Sequence, residues 1–385
     1  VTASLLREGT KQRSSRDIAE QLAKLGSSLS AGASPSSGET AISVSGLTEH
    51  ADAILALAAD VVLNPAFPDA ELQKYKARLL AQLQYQRSLP NFVAQEQFFR
   101  AIYGEHPASY IVPPEKVLQD LTRSDLAAYH AAYFRPTSAI VIAYGDLTLK
   151  ELTRKLEHAF GGWPKADPGV VSLPAQPPVP KARVLLIDRP ASVQTSLWVG
   201  SLGIDRRSDD YFAVLLMNHV LGGGPASRLF THLREEKGYT YGVYSTFTSS
   251  KFPGVMLATM DVRTAVTADA LQDLMAELKR IATEPVAEQE LQNAKRALVG
   301  RFALSLDSPQ SLVGNLATQK IYELPADYWE TYPQRVEAIT AADVRRVAQK
   351  YLDPSRLQLV AVGDSASVKP VLEKYGAVAA PAAGN

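Results

Sequence analysis

An internal repeat constrains the fold of this chain more than any other feature of its sequence. Residues 122–146 read TRSDLAAYHAAYFRPTSAIVIAYGD, and residues 340–364 read TAADVRRVAQKYLDPSRLQLVAVGD, at an offset of 218 positions (340 − 122). Upstream, ADAILAL at residues 51–57 matches ADALQDL at residues 268–274, at an offset of 217 positions (268 − 51). Solenoid units are roughly 20 to 50 residues long, so a repeat of this length predicts the duplication of a whole domain.

Each copy of the repeat closes on the same local plan. Thr122 with Asp125, and Thr340 with Asp343, have the spacing of a helix capping box. An amphipathic helix follows, a Pro then breaks the chain, and an apolar run ends at Gly-Asp. The sequence therefore predicts a helix and then a strand in both halves, with the strands at residues 139–144 and 357–362.

The second half mixes further strands with long helices. Partial alternation of β-branched and aromatic residues predicts strands at 183–188, 194–200, 240–249 and 254–260. Helical periodicity predicts helices at 209–221, 226–236, 267–282, 288–302, 309–321 and 341–351. Hairpin-like strand pairs beside long helices indicate the α+β class. We expect two homologous halves, each a mainly antiparallel sheet with helices packed on one face.

A Pro-rich linker separates the two halves. Residues 161–181 read GGWPKADPGVVSLPAQPPVPK, with six prolines and little periodicity, which is typical of an extended surface segment. We predict a first half at residues 1–160, a linker at 161–182, a second half at 183–375 and a loose tail at 376–385.

Charge and composition exclude several function classes. The 40 Lys and Arg balance the 40 Asp and Glu, so the chain lacks the basic excess that nucleic-acid binding needs. It has no Cys, and therefore no disulfide, thiol nucleophile or thiolate metal site. No apolar run reaches the roughly 18 residues of a membrane span. None of the six His stands four residues from another, which argues against a helical two-His zinc site.

The most informative segment for chemistry is SRLFTHLREEKGYTYGVYST, residues 227–246. Its amphipathic helix is predicted to end at Gly238, and the two-residue period of the following strand places Tyr239 and Tyr241 on one face. Arg234 and Tyr241 could then lie side by side and hydrogen-bond a carbonyl oxygen or an oxyanion. A solvated Arg and a Tyr packed on the sheet fit the same residues, and the chemistry alone favours that structural interpretation.

Three glycines precede this helix. Gly222, Gly223 and Gly224 could suggest a phosphate cradle, but the run follows a helix instead of a strand and lacks the Lys-Ser/Thr ending of a P-loop. From the residues alone, we interpret the run as a turn that lets two helices pack closely.

The run LGGGPASRLFTHLREEKGYTYGVYS resembles the second-half signature of the M16 metallopeptidases, the pitrilysin and mitochondrial-processing-peptidase family (M16B). The duplicated halves, the position of the linker, and the half-ends TSAIVIAYGD and RLQLVAVGD agree with this resemblance. It extends over nearly the whole chain, from LREGT at residues 6–10 through Asp364.

The zinc-binding residues of that family do not reappear here. Active members carry H-x-x-E-H and a following Gly-Thr in the first half, with a distant Glu on a long helix. Two His and that Glu bind zinc, and the motif Glu is the general base. If residues 9–10 are the Gly-Thr, the second His falls on Ser4 and the base on Ala3, with the first His and the front strands before residue 1. The acidic pair of the long helix falls on Ala81 and Gln82, so the resemblance implies that this chain binds no metal.

The family's second catalytic element is a pair spaced R-x6-Y, which matches Arg234 and Tyr241. In the family this pair binds the substrate backbone and steadies the tetrahedral intermediate. The resemblance implies that this chain is the partner subunit of a heterodimeric zinc peptidase, with Gly222, Gly223 and Gly224 also at the substrate. A zinc-bearing M16 subunit with an intact H-x-x-E-H would supply the metal and the base. The substrate would be a peptide or unfolded protein, and this chain alone would hydrolyse nothing.

Other functions of the same fold stay open. One is a non-catalytic scaffold, like the core subunits of respiratory complexes, although the retained Arg and Tyr weigh against it. Another is a substrate-recognition subunit, like the α subunit of the mitochondrial processing peptidase, although the glycine run is short for that role. A self-sufficient homodimeric peptidase is disfavoured by Ala3, Ser4, Ala81 and Gln82. The lack of Cys and the Ala/Pro-rich end favour a bacterial periplasmic protein, with the cytoplasm as the alternative.

Overall fold

A computed structural model of the chain describes residues 1–34, 38–165 and 174–380. The chain divides into two compact units: unit 1 is Val1–Leu83 with Pro113–Leu173, and unit 2 is Gln84–Val112 with Pro174–Asn385. The predicted first half at 1–160 therefore needs correction, because residues 84–112 belong to unit 2.

The helices and strands are as follows. The helices are α1 (Thr2–Leu5), α2 (Ser15–Lys24), α3 (Ala51–Leu63), α4 (Asp69–Arg87), α5 (Pro90–Tyr103), α6 (Glu115–Asp120), α7 (Arg123–Tyr133), α8 (Leu149–Phe160), α9 (Tyr211–Gly222), α10 (Thr267–Thr283), α11 (Glu288–Ser305), α12 (Pro309–Ile321), α13 (Tyr332–Glu337), α14 (Ala341–Tyr351) and α15 (Ser365–Leu372). A π-helix covers Phe230–Glu236. The strands are β1 (Ser28–Ser34), β2 (Glu39–Ser45), β3 (Arg183–Asp188), β4 (Gln194–Leu202), β5 (Thr240–Ser249), β6 (Pro253–Arg263), β7 (Gln358–Gly363) and β8 (Val378–Ala379).

Unit 1 contains an antiparallel pair, β1 with β2, and a small apolar core. The core joins the first residues of the chain to α2, α3, α4 and α7, because these helices turn their apolar positions toward one another; it includes Leu6, Ile18, Leu57, Leu72 and Leu126. The capping box predicted at Thr122 and Asp125 is present at the start of α7.

The strand predicted at residues 139–144 is wrong: this segment has no regular secondary structure, and Ile140, Val141 and Tyr144 are exposed. Its counterpart β7 lies between β3 and β4. No described strand pairs with residues 139–144. An apolar run without neighbouring strands has no partners for its backbone groups and cannot form a ladder.

Unit 2 is built on a six-stranded mixed sheet with the order β5-β6-β4-β7-β3-β8. The pairs β5–β6, β6–β4 and β4–β7 are antiparallel, whereas β7–β3 and β3–β8 are parallel. One face of this sheet packs against α9, α10, α11 and α14 in the main core. These features confirm the α+β class.

The second face of this sheet is covered by α5. Ala94, Phe98 and Ile102 of α5 are buried against Leu257 of β6 and Val360 of β7. Residues 84–112 fold with unit 2 because the apolar side of α5 finds this apolar sheet face, a packing that depends on residues far away in the sequence.

The predicted elements of unit 2 agree closely with the observed ones, and the exceptions are informative. Helix α14 and strands β3 and β5 have the predicted bounds. The helix predicted at 226–236 is a π-helix from Phe230 onward. The prediction of a loose tail is wrong at Val378–Ala379, which pair with β3, while residues 381–385 lie outside the described residues. Of the predicted linker, residues 166–173 also lie outside the description, and residues 174–182 form no helix or strand.

Candidate functional site

The candidate site begins at the π-helix Phe230–Glu236. Two backbone hydrogen bonds show its wider turns. Lys237 N–H donates to His232 O at 3.1 Å, and Tyr239 N–H donates to Leu233 O at 3.0 Å. Leu233 is fully buried and holds the helix on the core, and Gly238 ends the segment with a φ of +62°, which favours glycine. Short π segments are frequent at functional sites because they turn side chains out of the regular helical register.

Two polar contacts fix the π-helix to its neighbours. Just ahead of it, Arg228 donates two hydrogen bonds to the carboxylate of Glu290 on α11, at 2.8 and 2.6 Å. His232 Nδ1 lies 3.0 Å from Oε1 of the buried Glu277 on α10. A bidentate Arg–carboxylate pair fixes direction as well as distance, so the residues just before Arg234 are held on α10 and α11.

Arg234 and Tyr241 lie in contact. Arg234 Nε donates a hydrogen bond to the backbone carbonyl of Tyr241 at 3.1 Å. The guanidinium carbon of Arg234 lies 5.7 Å from the ring centroid of Tyr241 and 5.0 Å from that of Phe230, both within the range of cation–π attraction. Arg234 also forms an ion pair with the neighbouring Glu235, which is exposed and therefore weakly stabilising.

A β-bulge decides where Tyr241 points. Thr240 pairs with Val262 and Val243 with Met260, so three steps along β5 match two along β6. The prediction that Tyr239 and Tyr241 share a face is wrong, because Tyr239 precedes the first residue of β5 and does not follow the period of that strand. Tyr239 packs against the core, whereas the Tyr241 side chain is 92% exposed.

The pair presents hydrogen-bond donors to solvent. Within the described residues, the Tyr241 hydroxyl has no hydrogen-bond partner. Nε of Arg234 is bonded to the Tyr241 carbonyl, so the two terminal nitrogens of the guanidinium can donate to other groups. One of these nitrogens also forms the weak, exposed ion pair with Glu235. A guanidinium and a phenol held this close can both donate to one carbonyl oxygen or oxyanion.

The three glycines lie just ahead of the π-helix, at the end of α9. A Cβ on Gly222 would stand 2.3 Å from Ser245 N of β5, and one on Gly223 would stand 2.7 Å from the Cα of His219. The expectation of close packing between two helices is therefore corrected: Gly222 lets α9 approach strand β5. A Cβ on Gly224 would meet nothing within 4 Å. Burial lowers the pKa of His219 beside Gly223, and the charge of Arg301 lowers it further.

The positions where the resemblance places zinc ligands do not fit a metal ion. Ala3 is buried in α1, and Ser4 Oγ accepts a hydrogen bond from the Tyr75 hydroxyl at 3.3 Å. Ala81 and Gln82 are exposed on α4. In residues 1–34, 38–165 and 174–380, no group of three or more His, Cys, Asp or Glu could hold a metal ion. Over the same residues, no helix is long and apolar enough to cross a membrane.

Sequence reasoning missed two residues that shape the site. Phe230 stands four residues before Arg234, a helical spacing that could have revealed the contact between ring and guanidinium. The Thr240 hydroxyl bonds to the Asp261 carbonyl at the bulge, and no local sequence pattern predicts a bulge in an otherwise regular strand.

Two family profiles and several curated proteins match this chain. The profile of the family described as "Peptidase M16 inactive domain" matches residues 120–298, and that of "Insulinase (Peptidase family M16)" matches residues 3–113. The "Uncharacterized zinc protease YmxG" of Bacillus subtilis is 26% identical over 344 residues, which cover 88% of this chain and 81% of that protein. The "Non-peptidase homolog YmxG" of Helicobacter pylori is 21% identical over 364 residues, which cover 94% of this chain and 83% of that protein.

Solved structures also match this chain over most of its length. The peptidase M16 inactive domain from Pseudomonas fluorescens superposes with a TM-score of 0.86 at 31% identity, covering 94% of this chain and 87% of that one. A protease from Helicobacter pylori also gives a TM-score of 0.86, at 19% identity over 94% of this chain and 88% of that one, which supports the fold alone. The repeat, the second-half signature, the two family profiles and the Pseudomonas structure together show that this chain belongs to the M16 peptidase family.

Proposed function

We propose that this chain is the non-metal-binding subunit of a two-chain zinc peptidase and supplies Arg234 and Tyr241 to the substrate. The observation that carries the proposal is the contact between these two residues, with the Tyr241 hydroxyl turned out to solvent. A tyrosine retained only for packing would bury its ring, and this ring is almost wholly exposed.

The geometry suits a peptide carbonyl. The bond from Arg234 Nε to the Tyr241 carbonyl ties the guanidinium to the strand that bears the phenol, so the guanidinium stays beside Tyr241. Donors held in place before the reaction stabilise a developing oxyanion without reorganisation, and removing one such donor typically costs about 10²- to 10³-fold in rate. Arg234 and Tyr241 would bind the substrate carbonyl and stabilise the charge that forms on its oxygen.

The rest of the chemistry must come from a partner subunit. This chain has a methyl group at Ala3, a hydroxyl at Ser4, and Ala81 and Gln82 on α4, none of which can replace a His or Glu ligand. The partner would be an M16 chain with an intact H-x-x-E-H, which holds the zinc and the general base. The mixture of "zinc protease" and "non-peptidase homolog" among the named relatives is compatible with a family in which one chain keeps the metal and another loses it.

We also assign the glycines to the substrate side of this surface. The backbone at Gly224 has room around it, whereas a side chain at Gly222 or Gly223 would collide with Ser245 or His219. An extended peptide could approach the Gly224 backbone closely, and a peptide or unfolded segment read through its backbone is the substrate class that fits.

The division of labour is tested by mixing experiments. This chain, the H-x-x-E-H chain from the same organism, and their equimolar mixture are each assayed on an internally quenched peptide. We expect no hydrolysis by this chain alone and a chelator-sensitive increase on mixing. Hydrolysis by the purified single chain, abolished by a chelator, would contradict the proposal.

The Arg234→Ala variant tests the pair in the mixture. It should lower turnover about 10²- to 10³-fold while the two chains still co-elute in size-exclusion chromatography. Arg16→Ala is the matched control, because Arg16 is exposed on α2 and forms its ion pair with Glu20 of the same helix. Equal turnover of the Arg234→Ala mixture and the wild-type mixture would favour a non-catalytic scaffold role.

A further inference from the structure

We propose that Thr240 is a positioning residue whose hydroxyl holds the β-bulge that turns Tyr241 outward, an inference that rests on the proposed function of Tyr241. Thr240 is half-buried at the first position of β5, directly before the exposed tyrosine. It touches no substrate; it acts through the backbone of residues 240–243.

The hydroxyl of Thr240 has three partners within reach. Its Oγ1 lies 2.7 Å from the carbonyl oxygen of Asp261 on β6 and 2.9 Å from that of Gly242, and it accepts a hydrogen bond from Gly242 N–H at 3.2 Å. A hydroxyl donates one hydrogen and accepts through its lone pairs, so it can serve Asp261 and Gly242 together. The hydroxyl thus occupies the gap that the bulge opens between β5 and β6.

The acceptor on β6 is itself fixed. Asp261 stands between the pairs Thr240–Val262 and Val243–Met260, so its carbonyl faces the bulge. Its carboxylate accepts a hydrogen bond from the Asn91 side chain at the start of α5, at 2.6 Å. The Thr240 hydroxyl therefore bonds to a backbone group that α5 holds in place.

The bulge decides the direction of Tyr241. Farther along β5, Val243 and Ser245 are buried and Tyr244 is exposed, as the period of two requires. An uninterrupted strand would put Tyr241 on the same face as Val243. The extra residue reverses this, because a shift of one position moves a side chain to the other face of the sheet.

Loss of the bulge would remove both halves of the site. The phenol would turn toward the face of the sheet on which Val243 lies. The Tyr241 carbonyl, which orients Arg234 Nε, would move with it.

Two substitutions separate the hydroxyl from the shape of the side chain. Thr240→Val keeps the branched shape and removes the hydrogen bonds, whereas Thr240→Ser keeps the hydroxyl and removes one methyl. A role in packing alone predicts that Ser is the more harmful change. The positioning role predicts that Val is harmful and that Ser restores wild-type behaviour.

The direct readout uses the full chain without a partner. A fluorotyrosine incorporated only at position 241 reports its surroundings by fluorine NMR, and hydrogen exchange reports the Gly242 amide. In wild type and Thr240→Ser we expect one solvent-exposed resonance and a protected amide. In Thr240→Val we expect a second or shifted, less exposed resonance and faster exchange. Identical spectra and exchange in Thr240→Val and wild type would overturn the proposal.

Turnover of the mixed complex supplies the second readout. Thr240→Val should lower kcat about 10- to 100-fold with little change in KM, since a displaced catalytic group weakens transition-state binding more than substrate binding. Thr240→Ser should restore kcat. Unchanged kcat for Thr240→Val, with Tyr241→Phe impaired, would contradict the positioning role. If Tyr241→Phe is fully active, the proposed function of the pair fails, and the fluorine spectrum still decides whether Thr240 orients the ring.

Discussion

The segments that close the two repeats share an apolar pattern and a capped helix, but they fold differently. Strand β7 (Gln358–Gly363) is buried along its whole length between β3 and β4. Residues 139–144 carry the matching run AIVIAY and form no strand, with Ile140 and Val141 exposed. The capping boxes at Thr122 and Thr340 are present in both. A capped helix is specified locally, whereas a strand exists only where neighbours satisfy its backbone.

The same contrast holds for chemistry. In unit 1 the positions where the resemblance places catalytic residues carry Ala3, buried in the core, and Ser4, bonded to Tyr75. In unit 2 Arg234 and Tyr241, the pair to which the resemblance assigns a catalytic role, lie in contact, and Tyr241 is turned to solvent. Unit 1 carries packing residues at these positions, whereas in unit 2 the Tyr241 hydroxyl has no hydrogen-bond partner within the described residues. This difference is what supports a role for the chain beside a partner.

The largest expected effect comes from a charge placed at matched positions of the two closing segments. Leu359 in β7 is 4% exposed and Val141, its counterpart at the offset of 218, is 62% exposed. Leu359→Asp should destabilise unit 2 by about 3 to 5 kcal/mol, because the carboxylate is buried without a partner. Val141→Asp should change the free energy of unfolding by less than about 0.5 kcal/mol. Urea unfolding of both variants checks this, and similar losses would break the comparison.

An intermediate effect is expected from Asp210 at the start of α9. Burial raises the pKa of Asp210, but hydrogen bonds from Lys350, Arg346 and Tyr351 outweigh this and lower it from 3.8 to about 2. A lowered folded-state pKa stabilises the protein above the unfolded value near 3.9, and this stability is lost as pH falls through about 2.

Asp210→Asn should therefore cost about 2 kcal/mol near neutral pH, and its cost should shrink toward about pH 2. Urea unfolding of wild type and variant across that range measures the difference. Asp60→Asn is the matched variant in unit 1, where Asp60 accepts hydrogen bonds from Thr10 and Arg13. A cost for Asp210→Asn that stays constant down to the lowest pH would show that the charge of Asp210 is not what matters.

The smallest effect on the free energy of unfolding is expected from removal of the helix caps, and it should be equal in the two halves. Hydrogen bonds from Thr122 and Thr340 lower the pKa of Asp125 and of Asp343, as expected for intact capping boxes. Thr122→Ala and Thr340→Ala should each cost about 1 kcal/mol, because the cap is a local feature that does not depend on the sheet. Thermal unfolding with a separate probe in each unit compares them. A much larger loss for one cap would mean that tertiary packing determines its strength.

The sequence predicted what depends on near neighbours. The bounds of α14 and β5, and the contact between Arg234 and Tyr241 across a helix end and a strand, follow from periodicity, spacing and the family signature. It did not predict the bulge at Thr240 or the packing of α5 on the sheet of unit 2, because both depend on residues of distant elements. The absence of a strand at residues 139–144 was also not predicted. The composition of this segment is that of a strand, and only the lack of neighbouring strands among the described residues prevents it from forming one.

The most direct test of the account is the turnover number of the mixed complex when this chain carries Tyr241→Phe. The variant removes one hydroxyl from an exposed ring, so folding and assembly should be unchanged. Tyr85→Phe, at another exposed tyrosine, is the matched control. The account predicts a kcat lowered about 10²- to 10³-fold for Tyr241→Phe and an unchanged kcat for Tyr85→Phe. Full activity of the Tyr241→Phe complex would contradict the claim that this chain contributes to catalysis through Tyr241.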